Sequence, residues 1–113
     1  MFTSDNGLFH GEHRVRNGKV LVYEPSIRVP LVLRGPGVRR GAHRRQLVTN
    51  ADLAPTIRDA ANARPGRLED GRSLFPLLRD SGREWGRDLL IEGNAGVNGG
   101  FSALRTYRYV YVE

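Results

Sequence analysis

The sequence predicts an α/β fold in which buried, mostly parallel strands pack with helices, followed by a small antiparallel sheet. Val29–Leu33 is a nearly continuous apolar run, as in strands buried on both faces of a parallel sheet. Residues 53–61 have the apolar spacing of an amphipathic helix. Residues 88–112 alternate apolar and polar positions in short segments, which favours antiparallel strands. With 113 residues, the chain is one domain or part of one.

The first elements follow from turn and loop signals. Met1–Ser4 is interpreted as the end of a strand, because Asp5-Asn6-Gly7 has the side chains and the glycine that turns use. Residues 7–22 are predicted to form a long loop, and such loops in compact domains are usually functional or disordered. Pro30 is compatible with the next strand only near its start.

The helices are predicted from capping and apolar spacing. Asp52 is expected to cap the helix over residues 53–61, with Pro55 in the first turn, where its missing N–H costs nothing. A short apolar helix or turn that fills a core is expected at 74–78. The helix face expected to pack on the sheet comprises Leu53, Ile57, Ala60 and Ala61. The tail strands are predicted at Asp88–Glu92, Phe101–Arg105 and Tyr109–Val112, with a tight turn near Tyr107.

Composition excludes several functions. The chain has no cysteine, so it has no disulfide, thiolate metal site or cysteine nucleophile. The net charge of +6 suggests a nucleic-acid partner, but we expect none, because the basic residues are scattered and no aromatic residues are interleaved with them. No apolar run is long enough to span a membrane, so no membrane partner is expected. Residues 1–6 form no export signal, which leaves localisation unknown.

Three polar residues near the N-terminus are candidate site residues. Asp5 and Asn6 are adjacent hard-oxygen donors at a strand end, which suits Ca²⁺ or Mg²⁺, although an ordinary turn has the same residues. Lys19 is the only lysine among 18 basic residues. A compact ammonium can grip one oxyanion oxygen where a planar guanidinium fits poorly, and the alternative is a chance surface charge.

Ordered motifs along nearly the whole chain closely resemble the sulfatase family, with wording nearest to the glucosamine-6-sulfatase type. The resemblance covers the C-terminal portion of such enzymes. The motifs are Ser4-Asp5-Asn6-Gly7, Gly11-Glu12-His13, Gly18-Lys19, Tyr23-Glu24, Ile27 to Leu31, Arg34-Gly35-Pro36-Gly37, Asn50 to Ile57, Asp70 to Leu74, Pro76-Leu77-Leu78, Leu104-Arg105-Thr106 and Tyr109-Val110-Tyr111.

The resemblance implies an alkaline-phosphatase-like fold, a divalent cation that is usually calcium, and hydrolysis of sulfate esters by a formylglycine nucleophile. It implies that Asp5 and Asn6 are metal ligands and that Lys19 contacts a sulfate oxygen. His10 and His13 could act as general acids or touch substrate, or be merely solvated. By this resemblance, residues 1–80 are the C-terminal part of the catalytic α/β domain, and residues 81–113 begin a small antiparallel subdomain.

The resemblance is incomplete, because sulfatases carry their nucleophile in a Cys or Ser followed by x-Pro-x-Arg. No serine here begins that motif, and the aspartates that complete the metal site are also missing. We therefore expect this chain alone to be inactive on sulfate esters, of which sulfated sugars are one class. A truncated reading frame, a separate N-terminal half as partner, or a misplaced start codon would each explain this.

Two alternatives remain open at this point. One is a phosphatase or phosphonate hydrolase of the same superfamily. The other is a non-catalytic interaction module that pairs with a complementary chain or binds polyanions. The residues that would bind polyanions are Arg39, Arg40, Arg44 and Arg45.

Overall fold

A computed structural model describes residues 1–19, 21–93 and 100–113. The chain divides into two compact units: Met1–Leu33 with Asp88–Glu113, and Arg34–Arg87. Within the described ranges, every helix is too short or too polar to cross a membrane. The domain boundary predicted between residues 80 and 81 refers to a whole sulfatase and stays a prediction.

The first unit begins with a very short sheet. Strand β1 (Phe2–Thr3) pairs antiparallel with β2 (Leu31–Val32), with Phe2 opposite Val32. The prediction of buried, mostly parallel strands is wrong for the described residues, whose strand pairs are all antiparallel. Pro30 lacks an N–H for a longer ladder, and a sheet of two strands leaves Phe2 and Val32 exposed. Helix α1 (Glu24–Ile27) precedes β2 by three residues.

The second sheet confirms the predicted antiparallel tail. Strands β3 (Leu89–Gly93), β4 (Phe101–Arg105) and β5 (Val110–Val112) are consecutive antiparallel neighbours. The expected tight turn joins β4 to β5, where the Thr106 N–H donates to the Tyr109 carbonyl at 2.8 Å. Residues 94–99, in the loop predicted between β3 and β4, lie outside the described residues.

The side chains of this sheet alternate between its two faces, as the tail pattern predicts. Ala103 of β4 is buried, whereas its neighbour Leu104 is exposed. Leu104 lies opposite Leu90 on one side and Tyr111 on the other. This row of three exposed side chains therefore crosses the outer face of the sheet.

The second unit is built on α2 (Leu53–Ala60) and α3 (Phe75–Arg79). A 3-10 turn, Asn50–Asp52, precedes α2, and Thr49 caps this turn. Asp52 completes a capping box, because its Oδ2 accepts the Thr49 N–H at 2.9 Å. Asp52 stands at the predicted N-cap position of α2, but its side chain accepts no hydrogen bond from the first turn of that helix and completes the capping box of the preceding turn instead.

The buried face of α2 also differs from the apolar face predicted for it. Pro55 and Thr56 are buried, whereas Ile57 is 56% exposed. The Thr56 hydroxyl donates to the Asp52 carbonyl at 2.6 Å and accepts the Leu74 N–H at 2.9 Å. Because the bond with Leu74 holds the Thr56 side of α2 against another segment, apolar spacing alone predicts the wrong face. Leu74 and the α3 residue Leu77 are buried, which confirms the predicted apolar plug.

Asp52 is the polar centre of the second unit, and its side chain is fully buried. Its carboxylate accepts the Arg72 N–H at 2.7 Å and lies 2.7 Å from Arg87 Nη1 through both oxygens. A β-carbon at Gly71 would overlap the Ala51 carbonyl oxygen, so the chain approaches this turn closely. The carboxylate thereby links the segments at Thr49, Arg72 and Arg87, and both of its oxygens accept hydrogen bonds.

Candidate functional site

Backbone contacts in the first unit hold the candidate residues in place. The Phe9 N–H donates to the Gly18 carbonyl at 2.9 Å, which closes the loop between them. The Gly7 N–H donates to the Ser26 carbonyl at 2.8 Å, and the buried Ser26 hydroxyl donates to the Lys19 carbonyl at 2.6 Å. Hydrogen bonds to Ser26 thus connect Gly7, which precedes the loop, with Lys19, which follows it.

The structure brings together the three residues that the sequence singles out. Lys19 Nζ donates to Asn6 Oδ1 at 3.1 Å, across thirteen residues of sequence. Asn6 Nδ2 donates to the Gly7 carbonyl at 2.8 Å, which fixes the amide so that its oxygen faces the ammonium. The Asp5 carboxylate accepts the Asn6 N–H at 2.9 Å. One carboxylate, one amide oxygen and one ammonium therefore adjoin at the end of β1.

The oxygens of Asp5 and Asn6 are of the type that binds a hard divalent cation, since Ca²⁺ takes carboxylate and amide oxygens. The two side chains supply two ligands, whereas calcium takes about six to eight. In residues 1–19, 21–93 and 100–113, no three acidic or histidine side chains group together as metal ligands. The described residues therefore suit part of such a site and do not complete one.

The two histidines are placed differently. The His13 ring stacks on Tyr23 with centroids 4.4 Å apart and planes 17° apart. Both rings meet the fully buried Phe9 ring edge to face. His13 has a φ of 56° and Arg14 a φ of 62°, a left-handed pair that is costly for side-chain-bearing residues. His13 is thus held in an aromatic cluster, and the sequence gives no periodic signal for this stack.

His10 lies beside Glu12, whose carboxylate accepts the His10 N–H at 2.6 Å. This hydrogen bond is the largest cause of a lowered pKa for the fully exposed Glu12 side chain. Glu12 therefore stabilises the loop in its ionised form. The roles proposed for His10 and His13 in chemistry stay predictions.

Tyr23 and Glu24 both contact other side chains of the first unit. Tyr23 is 47% exposed beside His13. The Glu24 carboxylate pairs with Arg28 at 3.7 Å and, more closely, with Arg105 of β4 at 2.9 Å. The second pair connects α1 to the tail sheet, and its separation of 81 residues hides it from local sequence patterns.

Comparison with known proteins identifies the class. The family model described as N-sulphoglucosamine sulphohydrolase, C-terminal, matches residues 11–92. N-acetylglucosamine-6-sulfatase of Homo sapiens is 42% identical over 93 residues, 80% of this chain and 17% of that protein. Extracellular sulfatase SULF-1 homolog of Drosophila melanogaster is 36% identical over 98 residues, which are 83% of this chain and 9% of that protein. Arylsulfatase K of Gallus gallus is 38% identical over 84 residues, which are 74% of this chain and 16% of that protein.

The chain therefore belongs to the sulfatase family, and the region that matches is a C-terminal portion. It spans only 9 to 17% of the length of these relatives. The matched range includes Lys19, His10 falls one residue before it, and Asp5 and Asn6 also precede it. No solved structure matches the chain.

Proposed function

We propose that this chain contributes half of a sulfate ester hydrolase site within an alkaline-phosphatase-like fold. Lys19 would contact a sulfate oxygen, and Asp5 and Asn6 would be two of the ligands of a divalent cation, for which calcium is the candidate because it takes oxygen ligands. The observation that supports this most is the 3.1 Å contact between Lys19 Nζ and Asn6 Oδ1. The three relatives described above, all sulfatases by name, support the same reaction class.

Lys19 is suited to stabilise the charge that develops during sulfuryl transfer. An ammonium a few Å from a sulfate oxygen interacts with it by about 4 kcal/mol at an effective dielectric of roughly 20. The bond to Asn6 Oδ1 aims Nζ before substrate arrives, and the Ser26 hydroxyl fixes the Lys19 backbone. Such preorganisation avoids the cost of reorienting the group during reaction.

Asp5 and Asn6 would hold the divalent cation that balances the charge of the same anion. A divalent cation, when bound, supplies neutralisation of the sulfate charge. The Asn6 carbonyl oxygen has two lone pairs, so it can accept from Lys19 and still face a cation. The Asp5 carboxylate adds the negative charge that a hard cation requires.

The 113 residues contain no cysteine, and no serine begins the sulfatase nucleophile motif. We therefore propose that turnover needs residues beyond this chain. The test is to assay the purified chain with an aryl sulfate and with the matching aryl phosphate. We expect no turnover of either, and measurable sulfate hydrolysis would overturn the half-site proposal.

A binding measurement tests the half that is present. Inorganic sulfate should shift the side-chain NMR signals of Lys19 in a saturable manner, and Lys19→Ala should abolish the shifts of its neighbours. Arg16→Ala removes another positive charge from the same loop and is the matched control. Equal loss of binding in both variants would show that sulfate is attracted only by the charge of the loop.

A further inference from the structure

The net positive charge of this protein lies entirely in one of its two units. Residues 34–87 contain 12 arginines and 6 acidic residues and therefore carry the whole net charge of +6. The other unit, which holds the candidate site, has 6 basic and 6 acidic residues. The basic surplus therefore lies in the unit without the candidate site residues and calls for its own explanation.

The surplus begins with a continuous basic segment. Residues 34–51 contain five arginines and one histidine, and no acidic residue. We call residues 34–45 the basic loop. In the part of the chain that the structure describes, no carboxylate forms an ion pair with an arginine of this loop. The exposed arginines of the loop are Arg34, Arg39, Arg40 and Arg45.

The basic loop is anchored through one of its own arginines. Arg44 Nε donates to the carbonyl of the buried Leu77 at 2.6 Å, which attaches the loop to α3. Gly37 and Gly41 have φ values of 77° and 64° and turn the chain on either side of Arg39 and Arg40. The segment that bears the exposed guanidinium groups is thus attached to α3 at Arg44, and such an attachment lowers the entropy lost on binding.

The chemistry of the loop indicates its partner. Several unpaired guanidinium groups without acidic neighbours favour a polyanion, and guanidinium binds sulfate oxygens in bidentate geometry. Residues 34–51 contain no Phe, Tyr or Trp on which nucleic acid bases could stack. Residues 34–49 form no helix that could enter a DNA groove.

We propose that the basic loop, which belongs to the unit without the half-site residues, binds a sulfated polysaccharide chain. The choice of sulfate among anions rests on the proposed function, whereas the polyanion surface itself does not. Binding by this loop would hold a polymeric substrate close to the enzyme without taking part in the reaction.

The experiment uses the full 113-residue chain on heparin-agarose and on DNA-cellulose, eluted with a salt gradient. The test variant replaces Arg39, Arg40 and Arg45 by alanine and keeps the anchor Arg44. The matched control removes three exposed arginines elsewhere in the same unit, Arg64, Arg67 and Arg83, and so has the same net charge. Circular dichroism checks that each variant folds like the wild type.

We expect the test variant to leave heparin at clearly lower salt, with the slope of log affinity against log salt reduced by about 2 to 3. The control should elute close to the wild type. Equal early elution of both variants would overturn the proposal, since net charge alone would then explain retention. Retention on DNA-cellulose as strong as on heparin would overturn the choice of polysaccharide.

A single change gives a second test if the triple variant does not fold. Arg40→Glu reverses one exposed charge in the basic loop, and Arg67→Glu does the same outside it. We expect only Arg40→Glu to elute early. Because heparin retention needs no turnover, these results are independent of whether the sulfatase half-site proposal survives.

Discussion

Lys19 Nζ lies 3.1 Å from Asn6 Oδ1, although thirteen residues separate the two in sequence. The contact depends on the closed loop between Phe9 and Gly18 and on Ser26, which bonds to the backbone of both neighbouring segments. The only lysine of the chain is therefore directed by the fold towards an amide oxygen at the end of β1. This relationship makes the side-chain type at position 19 testable.

Lys19→Arg should lower activity in a polypeptide that joins these residues to a sulfatase nucleophile region. The planar guanidinium cannot occupy the compact position beside Asn6 Oδ1 and also reach one sulfate oxygen. We expect kcat to fall about 10²-fold or more, as for the loss of one stabilising donor. Steady-state kinetics measures this, with Arg16→Lys as the control. Undiminished turnover would show that the lone lysine is a chance residue.

Gly7→Ala should disrupt the candidate site through the backbone. A β-carbon at Gly7 would overlap the Pro25 carbonyl oxygen, whereas one at Gly35 would meet nothing within 4 Å. We expect the first substitution to destabilise the chain by about 1–3 kcal/mol, as overpacking does, and the second to change little. Urea unfolding of both variants gives the comparison. Equal stability of the two would mean that the segments at Gly7 and Pro25 are not in close contact.

Asp52→Ala should be the most destabilising single change in the second unit. It removes a buried carboxylate and leaves the Arg87 guanidinium, which is 12% exposed, without its partner. Loss of one member of a buried pair costs about 3–5 kcal/mol. Thermal unfolding should show this loss, while Asp70→Ala, at an exposed position, should stay within about 0.5 kcal/mol of the wild type.

Combining Asp52→Asn with Arg87→Met tests whether the pair is coupled. The double variant should be less destabilised than the sum of the two single variants, because neither partner is left buried alone. Strict additivity in chemical unfolding would show that the two side chains act independently.

The stability of the loop around Glu12 should decrease as the pH falls. The His10 N–H lowers the pKa of Glu12 in the folded chain, so its stabilisation is present above the unfolded pKa. It is lost as the pH falls through the lower, folded pKa. NMR titration should give a Glu12 midpoint below the ordinary glutamate value, and Glu12→Gln should remove the change of the His10 amide signal in the acidic range where carboxylates titrate. An ordinary midpoint would contradict the hydrogen bond.

Local patterns predicted those parts of the molecule that local physics determines. The alternation of apolar and polar residues predicted β3, β4 and β5 with ends close to those observed. The apolar residues Leu74 and Leu77 are buried as expected. The prediction of a strand buried on both faces at Val29–Leu33 was wrong, because such burial requires neighbouring strands on each side. Within the described residues, β2 has only β1.

Contacts between distant segments could not be predicted in the same way. The partners of Asp52 include Arg87, 35 residues away, and this polar arrangement overrides the apolar face predicted for α2. In the candidate site, Lys19 lies beside Asn6, and the roles that the family resemblance implies for the two residues stay predictions. The stack of His13 on Tyr23 depends on left-handed backbone at His13 and Arg14, which no propensity of these residue types indicates.

The bridge between Phe9 and Gly18 has a consequence for how this region can evolve. It fixes both ends of the intervening loop, so residues can be inserted or deleted between them at a small entropic cost. Asn6 precedes the bridge and Lys19 follows it, so neither needs to move when the loop changes length. The loop can therefore change length while the ammonium and the amide keep their geometry, although a change that moves His13 would cost its stack on Tyr23.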